Sequence, residues 1–169
     1  MRNGLLVLGL TSLLATACAL DERSNGLEDV PITVSEQQEQ TMCEQLAGGS
    51  STGQLPKTAG TDIGEGGAID ATSGLKTIEL VEFGGQLGGF VRLSVSPDSQ
   101  TAVFAMLADD VPFTPITEDG VEVDLLDPGE TVCSDAAGRF LWVVADSENH
   151  LRFGPTELDT VRLVLETVD

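Results

Sequence analysis

From residue 76 onward apolar and polar positions alternate. In residues 90–96 (FVRLSVS) Val91, Leu93 and Val95 are apolar, while Arg92, Ser94 and Ser96 are polar. Residues 121–125 set Val121, Val123 and Leu125 against Glu122 and Asp124. Residues 161–167 set Val161, Leu163 and Leu165 against Arg162, Val164 and Glu166. A period of two marks strands with one face in a core. Two other runs, 102–108 (AVFAMLA) and 140–145 (FLWVVA), are apolar throughout, which suits central strands covered on both faces. Segments 76–83, 113–117 and 150–153 bring the set to about eight short strands with no helical pattern between them. Turn residues separate them at Pro97-Asp98-Ser99, Asp119-Gly120, Asp127-Pro128-Gly129 and 146–149. All seven aromatic residues fall in this zone, as a packed core requires. The pattern predicts an all-β domain over 76–169, a single antiparallel β-sandwich of jelly-roll-like form.

Before residue 76 the pattern changes twice. Ser35-Glu36-Gln37-Gln38 reads as a capping box opening a short helix over 35–47, with Gly48-Gly49 as its stop. Met42 and Leu46 stand four apart on one face, with Cys43 beside them. Residues 48–75 are rich in Gly, Ser and Thr without periodicity, and read as a flexible linker. Gly64-Glu65-Gly66-Gly67 lacks the strand before and helix after that a dinucleotide fingerprint needs.

At the N-terminus, Arg2 precedes a ten-residue apolar run, 5–14, and then Ala15-Thr16-Ala17 before Cys18. That run is shorter than the roughly 20 residues a membrane span needs, so 1–17 reads as a secretory signal peptide. Ala15-Thr16-Ala17 satisfies the small-x-small rule of ordinary signal peptidase. The same residues with Leu14 and Cys18 resemble the lipobox of bacterial lipoproteins, with Ala15 where Leu is usual. The resemblance implies that Cys18 is lipidated and anchors the chain to a membrane, with 18–34 as an acidic tether. Ala19, in place of Asp, resembles lipoproteins sent to the outer membrane of Gram-negative cells.

Export changes the reading of the cysteines. With Cys18 committed to lipid, Cys43 and Cys133 remain, and oxidising compartments let one disulfide persist between them. No C-x-x-C pair is present for thiol chemistry.

The charge balance is one-sided, with 8 basic against 28 acidic residues and a formal net charge of −20. It excludes nucleic acid as a partner, since phosphate contacts need clustered Lys and Arg, and it disfavours anionic lipid heads. Carboxylates gather in turns at Asp109-Asp110, Glu118-Asp119 and Asp127. Calcium takes about six to eight oxygen ligands, which such turns can supply, although no EF-hand loop occurs. The competing reading is solvated surface that keeps the chain soluble. Arg92, Arg152 and Arg162 fall at outward positions and are expected to pair with Glu122, Asp124 or Glu166 across strands. His150, the single histidine, opens a strand on its outward face in this reading, with Ser147 and Asp146 as neighbours too close in the chain for a triad.

The run Thr101–Pro112 (TAVFAMLADDVP), followed by Glu118-Asp119-Gly120, and the close Leu151-Arg152-Phe153-Gly154-Pro155 with 160–166 (TVRLVLE) resemble the bacterial pre-peptidase C-terminal type of β-sandwich. Glu148-Asn149-His150 stands where that family has Gly-Thr-Tyr, and this chain has no Tyr. The family is non-catalytic and accompanies secreted enzymes. The resemblance implies an accessory or binding role and names no ligand; the expected partner, beside the membrane itself, is an envelope protein or polysaccharide. The rival expectation is a secreted hydrolase working through a carboxylate pair in a cleft.

Overall fold

A computed structural model describes residues 32–48, 56–72, 74–95, 101–144 and 148–168, all within the compact unit Pro31–Asp169. The signal segment 1–17, Cys18 and the tether to residue 31 lie outside the described residues, as do Pro97, Asp98, Ser99, Asp146 and Ser147.

The helix α1 spans Glu36–Gly48. Half of its expected capping box forms: the Gln38 backbone N–H donates to Ser35 Oγ at 3.2 Å. The Gln38 side chain does not reach back. It donates instead to Glu166 Oε2 at 3.2 Å and to the Thr167 carbonyl at 3.0 Å, which ties the first turn of the helix to the sheet.

Two sheets stack as a sandwich. The larger joins β1 (Lys57–Thr58), β3 (Leu75–Glu79), β11 (Thr160–Val168), β6 (Thr101–Leu107), β9 (Gly138–Val144) and β8 (Leu125–Leu126), in that order across the sheet. The smaller joins β2 (Ala68–Asp70), β5 (Gln86–Ser94), β10 (Glu148–Thr156) and β7 (Phe113–Thr117), with β4 (Val81–Phe83) also paired to β5. The all-β expectation holds, and two pairs modify the antiparallel one: β1 runs parallel to β3, and β2 runs parallel to β5.

The continuous apolar runs are explained by position. Strands β6 and β9 lie side by side, and β6 pairs with β11 on its other edge. On one face Val103, Ala105, Leu107, Trp142 and Val144 join Val161, Leu163 and Leu165 in the core between the sheets. On the other face Ala102, Phe104, Met106, Leu141 and Val164 meet Met42 and Leu46 of α1. A sheet covered on both sides has no outward positions left for polar residues. Phe113 ties the two layers together, with its ring centroid 4.6 Å from Phe140, 5.8 Å from Trp142 and 5.4 Å from Phe153.

The linker expected over 48–75 is in part sheet. Residues 57–58 and 68–70 are strands, and Gly60 bridges Phe90. The glycines permit backbone to lie on backbone. A Cβ on Gly66 would stand 1.9 Å from the Phe90 carbonyl oxygen, so a side chain there is excluded. The Phe90 amide donates to the Gly60 carbonyl at 3.0 Å, and the Arg92 amide to the Gly67 carbonyl at 3.0 Å. The expected strand over 121–125 is also corrected, since only Leu125 and Leu126 pair in a ladder there. Residues 117–123 fold back on β7 instead: Thr117 N–H donates to the Val121 carbonyl and Val123 N–H to the Pro115 carbonyl, both at 2.9 Å.

Candidate functional site

The most densely connected polar group lies where α1 meets the loop between β8 and β9. Cys43 and Cys133 form a disulfide, with Cα atoms 5.6 Å apart and a sequence separation of 90. One turn earlier on the helix, Glu39 is buried, with 3% of its side chain exposed. Its Oε1 accepts from Thr131 Oγ1 at 2.9 Å and from the Val132 amide at 3.3 Å. Its Oε2 accepts from Arg139 Nη2 at 2.9 Å, and Arg139 Nε lies 2.9 Å from Oε1. Arg139 also donates to the carbonyls of Gly129 and Glu130, and its guanidinium stands 5.6 Å from the Phe104 ring centroid. A buried carboxylate is costly unless paired and hydrogen-bonded, and here both conditions are met. The clasp therefore has three parts: a covalent link, an ion pair, and the apolar anchors Met42 and Leu46.

Nothing in the sequence pattern marks Glu39 as buried, because its partner Arg139 is 100 positions away. Lys76 is a second buried charge that the pattern does not reveal. It alternates in register with Ile78 and donates from Nζ to the Thr72 carbonyl at 2.8 Å. Burial pushes its pKa below the ordinary 10.5, against the opposing pull of Asp70 and Glu166.

The acidic turns do not converge. Asp109 is held by Arg162, whose backbone N–H donates to Oδ2 at 3.0 Å and whose Nη2 donates to Oδ1 at 3.3 Å. Asp127 Oδ1 accepts from the Gly129 amide at 2.9 Å, within its own turn. Asp110, Glu118 and Asp119 are exposed. Among the described residues no three His, Cys, Asp or Glu side chains are placed to hold a metal, so the calcium expectation on Asp109, Asp110, Glu118, Asp119 and Asp127 lacks its donor set. The reason is that each turn consumes or exposes its own carboxylates.

Of the expected cross-strand pairs, Arg152 meets Glu122 at 2.6 Å, at the surface. Arg162 pairs with Asp109 rather than with a strand carboxylate. His150 is not on an open face. It stands in β10 opposite Arg92 of β5 and Ile116 of β7, and it is 3% exposed. The partners weighed with it for a triad, Asp146 and Ser147, lie outside the described residues. Glu82 and Glu157 face a surface groove of about 400 Å³, together with Gln86, Leu87 and Thr156. Both carboxylates are exposed, so water competes for them and no buried acid–base pair is built there.

Among known proteins, no family model matches this sequence and no curated protein is detectably similar to it. Among the described residues no helix is long and apolar enough to cross a membrane.

Proposed function

We propose that this chain is an exported lipoprotein, tethered by a lipid on Cys18 to the cell envelope, and that its β-sandwich is a non-catalytic binding or structural accessory module. The observation that carries this reading is the Cys43–Cys133 disulfide, a bond that persists outside the reducing cytosol. It agrees with the signal-like segment 1–17 and with the resemblance of residues 14–18 to a lipobox. The bond also fixes α1 to the sandwich immediately after the tether, so a load on the tether reaches the whole fold and not one loop. The ion pairs serve the fold: Glu39 with Arg139, Glu122 with Arg152, Asp109 with Arg162. The outer membrane is the expected destination, from Ala19 after Cys18.

The test is fractionation of cells expressing the native chain or Cys18→Ala. The native chain is expected in the membrane pellet with detergent-soluble behaviour, and the variant in the soluble periplasmic or culture fraction. A variant that stays in the membrane pellet unchanged would remove the lipid anchor from the reading.

A further inference from the structure

The six-stranded sheet ends on one side in β1, Lys57–Thr58, and on the other in β8, Leu125–Leu126. Sheet edges offer unpaired amides and carbonyls, and proteins usually blunt them with charge, proline or a covering segment. The β1 edge carries a lysine. In the smaller sheet, residues 117–123 cover the edge of β7, and β2, Gly60 and β4 cover that of β5. Asp124, Asp127 and Pro128 flank the β8 edge, but its own two positions carry neither charge nor proline, and β8 ends the sheet with no strand paired on its outer side among the described residues. Its two residues are leucines, 48% and 39% exposed, and Val121 and Val132 nearby in sequence are 62% and 50% exposed. Four of the six exposed large apolar side chains among the described residues thus fall within one stretch of 12, 121–132.

We propose that this rim docks an extended, basic segment of another protein, which adds to the sheet as a strand beside β8. Strand addition draws affinity from main-chain hydrogen bonds and specificity from alternate side chains. The occupant's charge follows from the surroundings. Residues 118–132 hold Glu118, Asp119, Glu122, Asp124, Asp127 and Glu130, and no Lys or Arg. A second copy of this chain would present the same acidic rim on a molecule of net charge −20, and like charges across an interface are costly. Lysine or arginine alternating with valine or leucine satisfies both features at once: apolar side chains lie over Leu125 or Leu126, and cations reach the acidic turn. This deepens the accessory-module reading by giving the partner's chemistry, and it rests on that reading for its setting in the envelope.

The exported full-length chain, isotopically labelled, is titrated with a synthetic peptide of alternating lysine and valine. Amide shifts are expected to concentrate at 121–126 and in β9. The same peptide N-methylated at alternate amides keeps its charge and is expected not to bind, and a glutamate–valine peptide likewise. Val121→Ser combined with Leu125→Ser should weaken binding about tenfold, at an unchanged melting temperature. Shifts spread over every acidic turn, with the N-methylated peptide binding equally, would mean charge attraction alone and overturn the proposal. Neutral phosphatidylcholine vesicles shifting the same amides while the peptide does not would make the rim a lipid contact, and would overturn it too. Either failure leaves the Cys18 fractionation result untouched, so the two readings fail separately.

Discussion

Replacing Cys43 and Cys133 together with alanine removes the covalent part of the clasp and leaves the ion pair and apolar anchors in place. The bond closes a loop with a sequence separation of 90. In the chain-entropy model a loop of that length restrains the unfolded chain enough to stabilise the fold by about 4–5 kcal/mol. For a domain of this size, that lowers the melting temperature by roughly 12–15 °C. The loss should be uneven. Alone, a helix of 13 residues is marginal in water. Without the disulfide, α1 depends on Met42, Leu46 and Glu39, so a state with the helix lifted and the sandwich closed becomes reachable. Calorimetry reads the first effect and hydrogen exchange the second: α1 amides should exchange faster relative to those of β11 than in the native chain. A melting shift under roughly 3 °C, with α1 still as protected as β11, would refute the clasp and show that packing alone holds the helix.

Glu39→Gln and Arg139→Met should each destabilise by about 3–5 kcal/mol, since each strands a buried charge or polar group, and the double variant should cost less than the sum; urea denaturation of the four proteins measures this. Lys76 gives a pH signature. Its folded pKa lies below 10.5, so the unfolded chain holds this proton more tightly, and stability must rise as pH climbs from the lowered value towards 10.5. Subtracting the curve of Lys76→Met, measured by urea unfolding between neutral and alkaline pH, should isolate that positive slope; identical slopes would refute it. Gly66→Ala should destabilise by about 2–4 kcal/mol, because a Cβ would strike the Phe90 carbonyl. Gly64→Ala, at φ +89° in open space, should cost only about 1–2 kcal/mol, and thermal melts of the two variants compare them directly.

What could be read from the sequence depended on whether the cause was local. Alternation in residues 90–96 and 161–167 and the unbroken runs at 102–108 and 140–145 report burial position by position, and the strands lie where they indicate. Met42 and Leu46, four apart beside Cys43, likewise placed the apolar face of the helix. Residues 121–125 alternate as well as any strand, yet the chain there passes from the edge of β7 to the edge of β9, and only its end joins a ladder. The glycines at 60, 66 and 67 look like linker glycines, because close backbone approach and free loop call for the same residue. Glu39, Lys76 and His150 were invisible for a related reason. A charged or polar residue reads as surface unless its partner is near in sequence, and the Glu39 partners lie at 131, 132 and 139.

The position of β11 bears on how the molecule is made. It is last in chain order, yet it lies between β3 and β6 in the larger sheet. Until synthesis has passed residue 168, β6 lacks its neighbour on that edge and the two apolar faces of β6 and β9 have no lasting cover. Contacts so distant in sequence form slowly, and exposed apolar strands invite aggregation meanwhile. The sheet core therefore closes late, around β11, and the apolar strands at 102–107 and 140–144 are the segments exposed until it does.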